Sequence, residues 1–127
     1  MPSLSFAAED VAAETVEYTP DFVVHMIAFA TGDPEPEGNS WNFSRSFDDD
    51  WGVCTVREPQ RATLYEGIAS FKLGRSGLDC VFGAKGAAEV GLAELRITFQ
   101  IDEQKWAKLA AAAQTVFRDR AYFKIAG

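Results

Sequence analysis

Positive charge is scarce in this chain. Lysine and arginine total 12 against 19 aspartates and glutamates, so the formal net charge is −7 with the single histidine neutral. Proteins that bind nucleic acids rely on a basic surface, and peripheral membrane proteins usually present lysine and arginine to the lipid headgroups. The sequence therefore predicts neither direct nucleic-acid binding nor membrane binding.

Long hydrophobic runs are also missing. The longest apolar stretch, residues 22–30, is interrupted by His25 and is too short to cross a bilayer. The first residues contain no basic segment, and Glu9 and Asp10 interrupt any apolar segment of a secretion signal. We therefore expect a cytoplasmic protein.

Residues that bind metals are few. The chain has two cysteines, Cys54 and Cys80, and one histidine, His25, all far apart in the sequence. Such a set does not make a structural zinc site. Both cysteines lie in apolar, strand-like segments, where a reducing compartment favours two buried thiols, while a disulfide stays open if the two strands are neighbours. We predict no metal and no cofactor.

No catalytic motif is recognisable either. His25 lies inside an apolar strand and no nucleophile elbow accompanies it, so a structural histidine is favoured. The run Gly83-Ala84-Lys85-Gly86 lacks the spacing of a phosphate-binding loop, and no serine or threonine follows the lysine. We therefore predict no catalytic residues and a protein that is not an enzyme.

The chain of 127 residues suffices for one hydrophobic core, so residues 1–127 are predicted to form a single domain. Residues 1–38 contain N-terminal strands followed by an acidic loop rich in proline and glycine, which can sustain neither a strand nor a helix. In residues 41–47 aromatic residues and an arginine alternate strictly with polar ones. This period of two indicates a strand with its aromatic side chains on one face.

The C-terminal part has the pattern of a helix. Asp102 is a typical N-cap, and Glu103 in the first turn suits the helix dipole. Trp106, Leu109 and Val116 belong to an apolar stripe at helical spacing, which we assign to the core. Strand-like segments occupy most of the preceding chain. The order predicts an α+β fold: a single antiparallel β-sheet of about six to eight strands with one C-terminal α-helix packed on one face.

Carboxylates cluster at two turns, and one cluster stands directly before a tryptophan. Calcium loops alternate their ligands around a glycine, and three consecutive aspartates do not follow that pattern. Two interpretations stay open: ordinary solvated turns, or a negative surface for a basic partner, anchored by the tryptophan. The candidate partner-binding residues are Asp48, Asp49, Asp50, Trp51, Glu35 and Glu37.

Residues 39–127 resemble the immunity protein 10 family of bacterial polymorphic-toxin systems. The resemblance lies in the order of elements and in a few anchor residues. These are Phe43-Ser44-Arg45-Ser46-Phe47, Trp51-Gly52, Tyr65-Glu66-Gly67-Ile68, the hairpin at residues 74–77, the strand at 95–101 and the amphipathic helix ending at Val116-Phe117.

The resemblance implies a non-catalytic cytoplasmic protein that binds a cognate toxin domain and occludes it. Many such toxins are nucleases with basic clefts, and the net charge of −7 would speed association with one of them. The alternative is a small ligand-binding domain or enzyme with a pocket between sheet and helix. A homodimer formed through exposed aromatic sheet faces is a third hypothesis.

Overall fold

The computed structural model describes residues 3–31, 39–47, 51–58 and 61–126. Within these ranges the chain forms ten strands and two helices. In chain order they are β1 (Ser3–Ala7), β2 (Asp10–Thr19), β3 (Phe22–Ala30), β4 (Ser40–Ser46), β5 (Cys54–Glu58), β6 (Ala62–Tyr65), β7 (Ile68–Gly74), β8 (Gly77–Phe82), α1 (Ala84–Val90), β9 (Glu94–Thr98), α2 (Glu103–Val116) and β10 (Phe123–Ile125).

Strands β2 to β6 form one five-stranded sheet in sequence order, here named the meander sheet. All its neighbouring strands are antiparallel, as consecutive strands with direct connections usually are. In the register, Ile27 lies opposite Phe43 and Phe29 opposite Trp41. The large apolar residues of adjacent strands therefore share one face of the meander sheet.

The other five strands form a second sheet in the order β1-β9-β8-β7-β10, here named the mixed sheet. The central strands β7, β8 and β9 are antiparallel, whereas β1 runs parallel to β9 and β10 runs parallel to β7. Parallel neighbours require long connections, and these two pairs join segments that are far apart in the sequence. The first and last strands thus form the two edges of the mixed sheet.

The prediction of a single antiparallel sheet of about six to eight strands with one C-terminal helix is wrong. The α+β molecule has two sheets of five strands and two helices in the part of the chain described. Alternating apolar residues indicate that a strand buries one face, but they do not indicate whether a helix or another sheet covers that face. Here a second sheet does so: the ring of Trp41 in β4 lies 6.0 Å from that of Phe82 in β8.

Aromatic rings fill the space between the two sheets. Phe43 of β4 meets Phe71 of β7 with ring centroids 5.0 Å apart. Phe71 also meets Phe117, which follows α2, at 4.3 Å, and Phe117 stacks on Phe123 of β10 at 4.9 Å. Contacts of this geometry add to the gain from burying each ring. This aromatic cluster joins both sheets and the C-terminal segment.

Strand β4 has the predicted alternation, because Trp41, Phe43 and Arg45 are buried and the residues between them are partly exposed. Burial of Arg45 has a specific cause. Its guanidinium donates a hydrogen bond to the carbonyl oxygen of Arg118, just beyond the end of α2, and lies 4.5 Å from the ring centre of Phe47. A cation is favourable at the negative end of a helix, so Arg45 ties the meander sheet to α2.

Helix α2 begins as predicted. The carboxylate of Asp102 accepts a hydrogen bond from the Lys105 backbone N–H at 2.7 Å, and the apolar stripe, including Trp106 and Leu109, is buried. The helix packs on β3 and β2, on the face of the meander sheet that also meets the mixed sheet. In the described ranges neither helix has the length and apolar character needed to span a membrane.

Helix α1 is not among the elements predicted from the sequence, since the glycines at 83, 86 and 91 disfavour a helix. The helix exists because β6 and β8 cover it: Ala87 and Val90 are buried. Gly86 lies so close to the carbonyl oxygen of Gly67 that an added Cβ would stand 2.4 Å from it. Glycine therefore serves close packing here, although glycine by itself disfavours a helix.

The aromatic cluster predicts a large difference between two phenylalanines. Replacing the fully buried Phe43 (F43A) should lower the free energy of unfolding by about 3–5 kcal/mol, because it leaves a cavity between the sheets. Replacing the partly exposed Phe22 (F22A) should cost about 1 kcal/mol or less. Urea unfolding followed by far-UV circular dichroism measures both, and equal losses would contradict this account of the core.

Candidate functional site

The meander sheet has a second face, here named the outer face, which points away from the mixed sheet. The register aligns its side chains in rows that run across the strands. The rows are Asp10, Ala30, Ser40 and Glu58; Ala12, Ala28, Asn42, Val56 and Thr63; Glu14, Met26, Ser44, Cys54 and Tyr65; and Val16, Val24 and Ser46.

The apolar side chains of the outer face take no part in the hydrophobic core of the described chain. The face carries several large aromatic residues that keep much of their surface exposed: Tyr18 (63%), Phe22 (36%), Trp51 (70%) and Tyr65 (57%). The rings of Tyr18 and Phe22 lie 5.6 Å apart and those of Trp51 and Tyr65 lie 6.3 Å apart. A contiguous exposed apolar surface of this kind usually marks an interaction site.

The charged side chains on the strands of the outer face all have one sign. In the described strands they are Asp10, Glu14 and Glu58, and the register places the arginines of this sheet, Arg45 and Arg57, on the opposite face. The guanidinium of Arg57 lies 5.4 Å from the ring centre of buried Trp41, which confirms that it points inward. The strands of the outer face therefore carry apolar, small polar and acidic side chains, and Arg61, in the turn before β6, has the parity of Thr63 and Tyr65.

A cleft of about 250 Å³ opens at the end of the outer face nearest Trp51. Its walls include Phe22, Trp51 and Tyr65, and its floor includes Val24 and Ser44. A typical small-molecule site is larger, about 300–1,000 Å³, so this cleft has the size for one side chain rather than for a cofactor.

Glu66 fixes the backbone next to Trp51. Its carboxylate accepts a hydrogen bond from the Val53 N–H at 2.5 Å and pairs with Arg120 at 2.9 Å. The Glu66 N–H in turn donates to the Val53 carbonyl oxygen at 2.8 Å. Gly52, between Trp51 and Val53, has φ +93°, a conformation that glycine adopts most readily. These contacts connect the backbone next to the exposed tryptophan to Arg120 in the C-terminal segment.

Cys54 also borders this cleft, in β5, whereas Cys80 lies buried in β8 of the other sheet, and both are free thiols. Burial raises the pKa of the Cys54 thiol, and hydrogen bonds with Tyr65 and Ser44 only partly oppose that effect. Burial also strongly raises the pKa of Cys80. Both thiols are therefore protonated at neutral pH, and the protonated form is neither the nucleophile nor the metal ligand.

The structure places one of the six predicted partner-binding residues. Trp51 is strongly exposed at the cleft. Asp48, Asp49, Asp50, Glu35 and Glu37 lie outside the described residues, and their role stays a prediction.

Sequence reasoning missed Phe22 and Tyr65 as surface residues. Phe22 begins the longest apolar stretch of the chain, which favours burial, and Tyr65 is named only among the residues that carry the family resemblance. The sequence alone does not distinguish the two faces of the strand of Phe22, because residues 22–30 are apolar at both parities except for His25. Only the pairing of β4 with β3 and β5 brings these side chains beside Trp51.

A second, more open cleft of about 390 Å³ separates α2 from the edge of the meander sheet. It is bordered by Glu14, Thr15, His25, Lys108 and Thr115, with small alanine side chains between them. The Thr15 hydroxyl lies 3.3 Å from Nδ1 of His25, and the register places Glu14 at the parity of the outer face. The cleft lies between sheet and helix, where the alternative hypothesis expects a pocket, and its hydroxyl, imidazole and ammonium groups could hold a small anion.

The described residues contain no group of three or more histidine, cysteine or acidic side chains arranged to hold a metal ion. Comparisons of the chain with models of known protein families, with curated proteins and with solved structures found no match.

Substitution of Gly52 tests whether Glu66 holds the backbone next to Trp51. In G52A the new Cβ would stand 2.1 Å from Oε2 of Glu66, and alanine disfavours φ +93°. We expect a loss of about 1–3 kcal/mol in unfolding free energy. G74A is the matched control, because the added Cβ would meet its nearest atom at 3.7 Å. Chemical denaturation compares the two variants, and a G52A protein as stable as G74A would contradict the role given to Glu66.

Proposed function

We propose that this chain is a non-catalytic, cytoplasmic immunity protein that binds a basic toxin domain through its outer face and occludes that domain. The observation that carries the proposal is the group of exposed aromatic residues on a sheet face whose described strands carry only acidic charges. The resemblance of residues 39–127 to the immunity protein 10 family supports the same function. A nuclease with a basic substrate cleft is the kind of toxin that fits such a surface.

The aromatic side chains and the charge of the outer face each have a known effect in protein interfaces. Tryptophan and tyrosine dominate the energetic centres of interfaces because they bury a large area with few rotatable bonds. Complementary charge raises the association rate and rejects partners of the same sign. The aspartates that the sequence places directly before Trp51 would extend the negative surface. A basic partner is thereby favoured over a second copy of this chain, whose identical acids would repel.

A growth-rescue assay tests the function. The C-terminal domain encoded by the adjacent upstream gene is expressed in a susceptible host with and without this protein. We expect the domain to kill alone and the wild-type protein to restore growth. W51A should bind the purified domain at least about 30-fold more weakly, the loss typical of an interface hot spot. V81A, on the exposed side of the mixed sheet, is the control and should bind normally.

Two results would refute the proposal: a toxic domain that this protein does not neutralise, or undiminished binding by W51A. A variant with the charges at Asp48, Asp49 and Asp50 reversed should bind the toxin domain more weakly than the wild-type protein, and its binding should depend less on salt.

Light scattering on the isolated protein tests the homodimer hypothesis, since a monomer at high concentration excludes it.

A second candidate function rests on the cleft between α2 and the meander sheet. It is a site for a small anion, held by Lys108, His25 and the hydroxyl of Thr15. Inorganic phosphate should then shift the backbone amide resonances of Thr15 and Thr115 in a saturable way. K108Q should reduce the affinity several-fold, whereas K72Q, on the mixed sheet, should not. Non-saturable shifts, or equal behaviour of the two variants, would exclude this site.

A further inference from the structure

The residues that line the cleft at Trp51 are of types that bind a guanidinium group. We propose that it accepts an arginine side chain of the partner, with the guanidinium held against the rings of Trp51 and Tyr65. This inference rests on the proposed function and specifies the chemistry of its central contact.

The first argument is the aromatic character of the walls. Trp51, Tyr65 and Phe22 all border the cleft, and the rings of Trp51 and Tyr65 are tilted by 54° with centroids 6.3 Å apart. Two tilted, exposed rings offer the electron-rich faces that attract a cation, and tryptophan does so most strongly. Arginine exploits such faces better than lysine, because its planar guanidinium also stacks on them.

The second argument is charge. The protein has a formal net charge of −7, and Asp21 is the neighbour of Phe22 in the turn between β2 and β3. Among the described residues that line the cleft the one charged side chain is Arg45, and its guanidinium is directed to the carbonyl oxygen of Arg118 and to the ring of Phe47. That cation is therefore engaged on the opposite side of β4, and the cleft suits a positive group from outside.

The third argument is size and depth. The volume of about 250 Å³ suits one long side chain. The floor combines the apolar Val24 with the hydroxyl of Ser44, so it can hold the methylene stem of an arginine and still offer an oxygen acceptor. An extended chain crossing the outer face could place one such residue into the cleft.

The experiment compares two neutral-ended probes, N-acetyl-arginine amide and its uncharged isostere N-acetyl-citrulline amide. Each is titrated into the full ¹⁵N-labelled chain, with the Trp51 indole and the amides of Ser44 and Gly52 as reporters. We expect the arginine probe to bind at least about threefold more tightly than the citrulline probe, the lower range of an exposed cation–π contact. Equal binding of both probes, or none of either, would overturn the proposal.

Variants distinguish binding in the cleft from general electrostatic attraction of the cationic probe to an acidic protein. W51L and Y65L should each abolish the shifts at Ser44, and W51F should keep part of the effect. Y18L is the matched control, because Tyr18 is an exposed aromatic residue of the same face that does not border the cleft. Shifts that persist in both W51L and Y65L would overturn the arginine site.

The two proposals fail in different ways. Growth rescue that depends on Trp51, without preference for the arginine probe, would retain the binding function and refute the arginine contact. Specific binding of the arginine probe without growth rescue would retain the cleft chemistry and refute the immunity function.

Discussion

The contact of Phe43 with Phe71 and Phe117 is the interaction on which the rest of the molecule depends. Phe43 belongs to the meander sheet, Phe71 to the mixed sheet and Phe117 to the segment after α2. Their mutual contacts exclude water from the place where these three parts of the molecule meet. Because the inner face of β4 is committed to this cluster, β4 can present only its other parity to the outside. Buried Arg45, on the inner parity, extends the same connection to the end of α2.

The two faces of the meander sheet consequently have different roles. The inner face is covered by a sheet over β4 and by a helix over β2 and β3, which leaves a groove at the sheet edge beside α2. The outer face carries serine and asparagine along its middle strand and apolar residues on the flanking strands. A polar middle strand keeps the isolated protein hydrated, while the aromatic residues at one end retain area for a partner.

Glu66 holds the backbone at that end through its hydrogen bonds and ion pair. It lies at φ +60°, an uncommon value for a residue other than glycine, and its carboxylate satisfies both a backbone N–H and Arg120. Tyr122 lies two residues after Arg120, and its pKa is raised chiefly by burial and also by the nearby Glu66 carboxylate. Trp51 is thus exposed on a backbone held by these contacts, and a backbone that is already ordered loses less conformational entropy on binding.

Local patterns in the sequence encode the strand period of β4, the cap and apolar stripe of α2 and the excess of acidic residues. The sequence also predicts a partner-binding role for Trp51 from its acidic neighbours. It did not determine how the strands divide between two sheets, because an apolar face does not specify its cover. It also missed α1, which depends on packing of Gly86 against Gly67. The cleft was decided only by tertiary structure, since Phe22, Trp51 and Tyr65 come from three separate segments that strand pairing alone brings together.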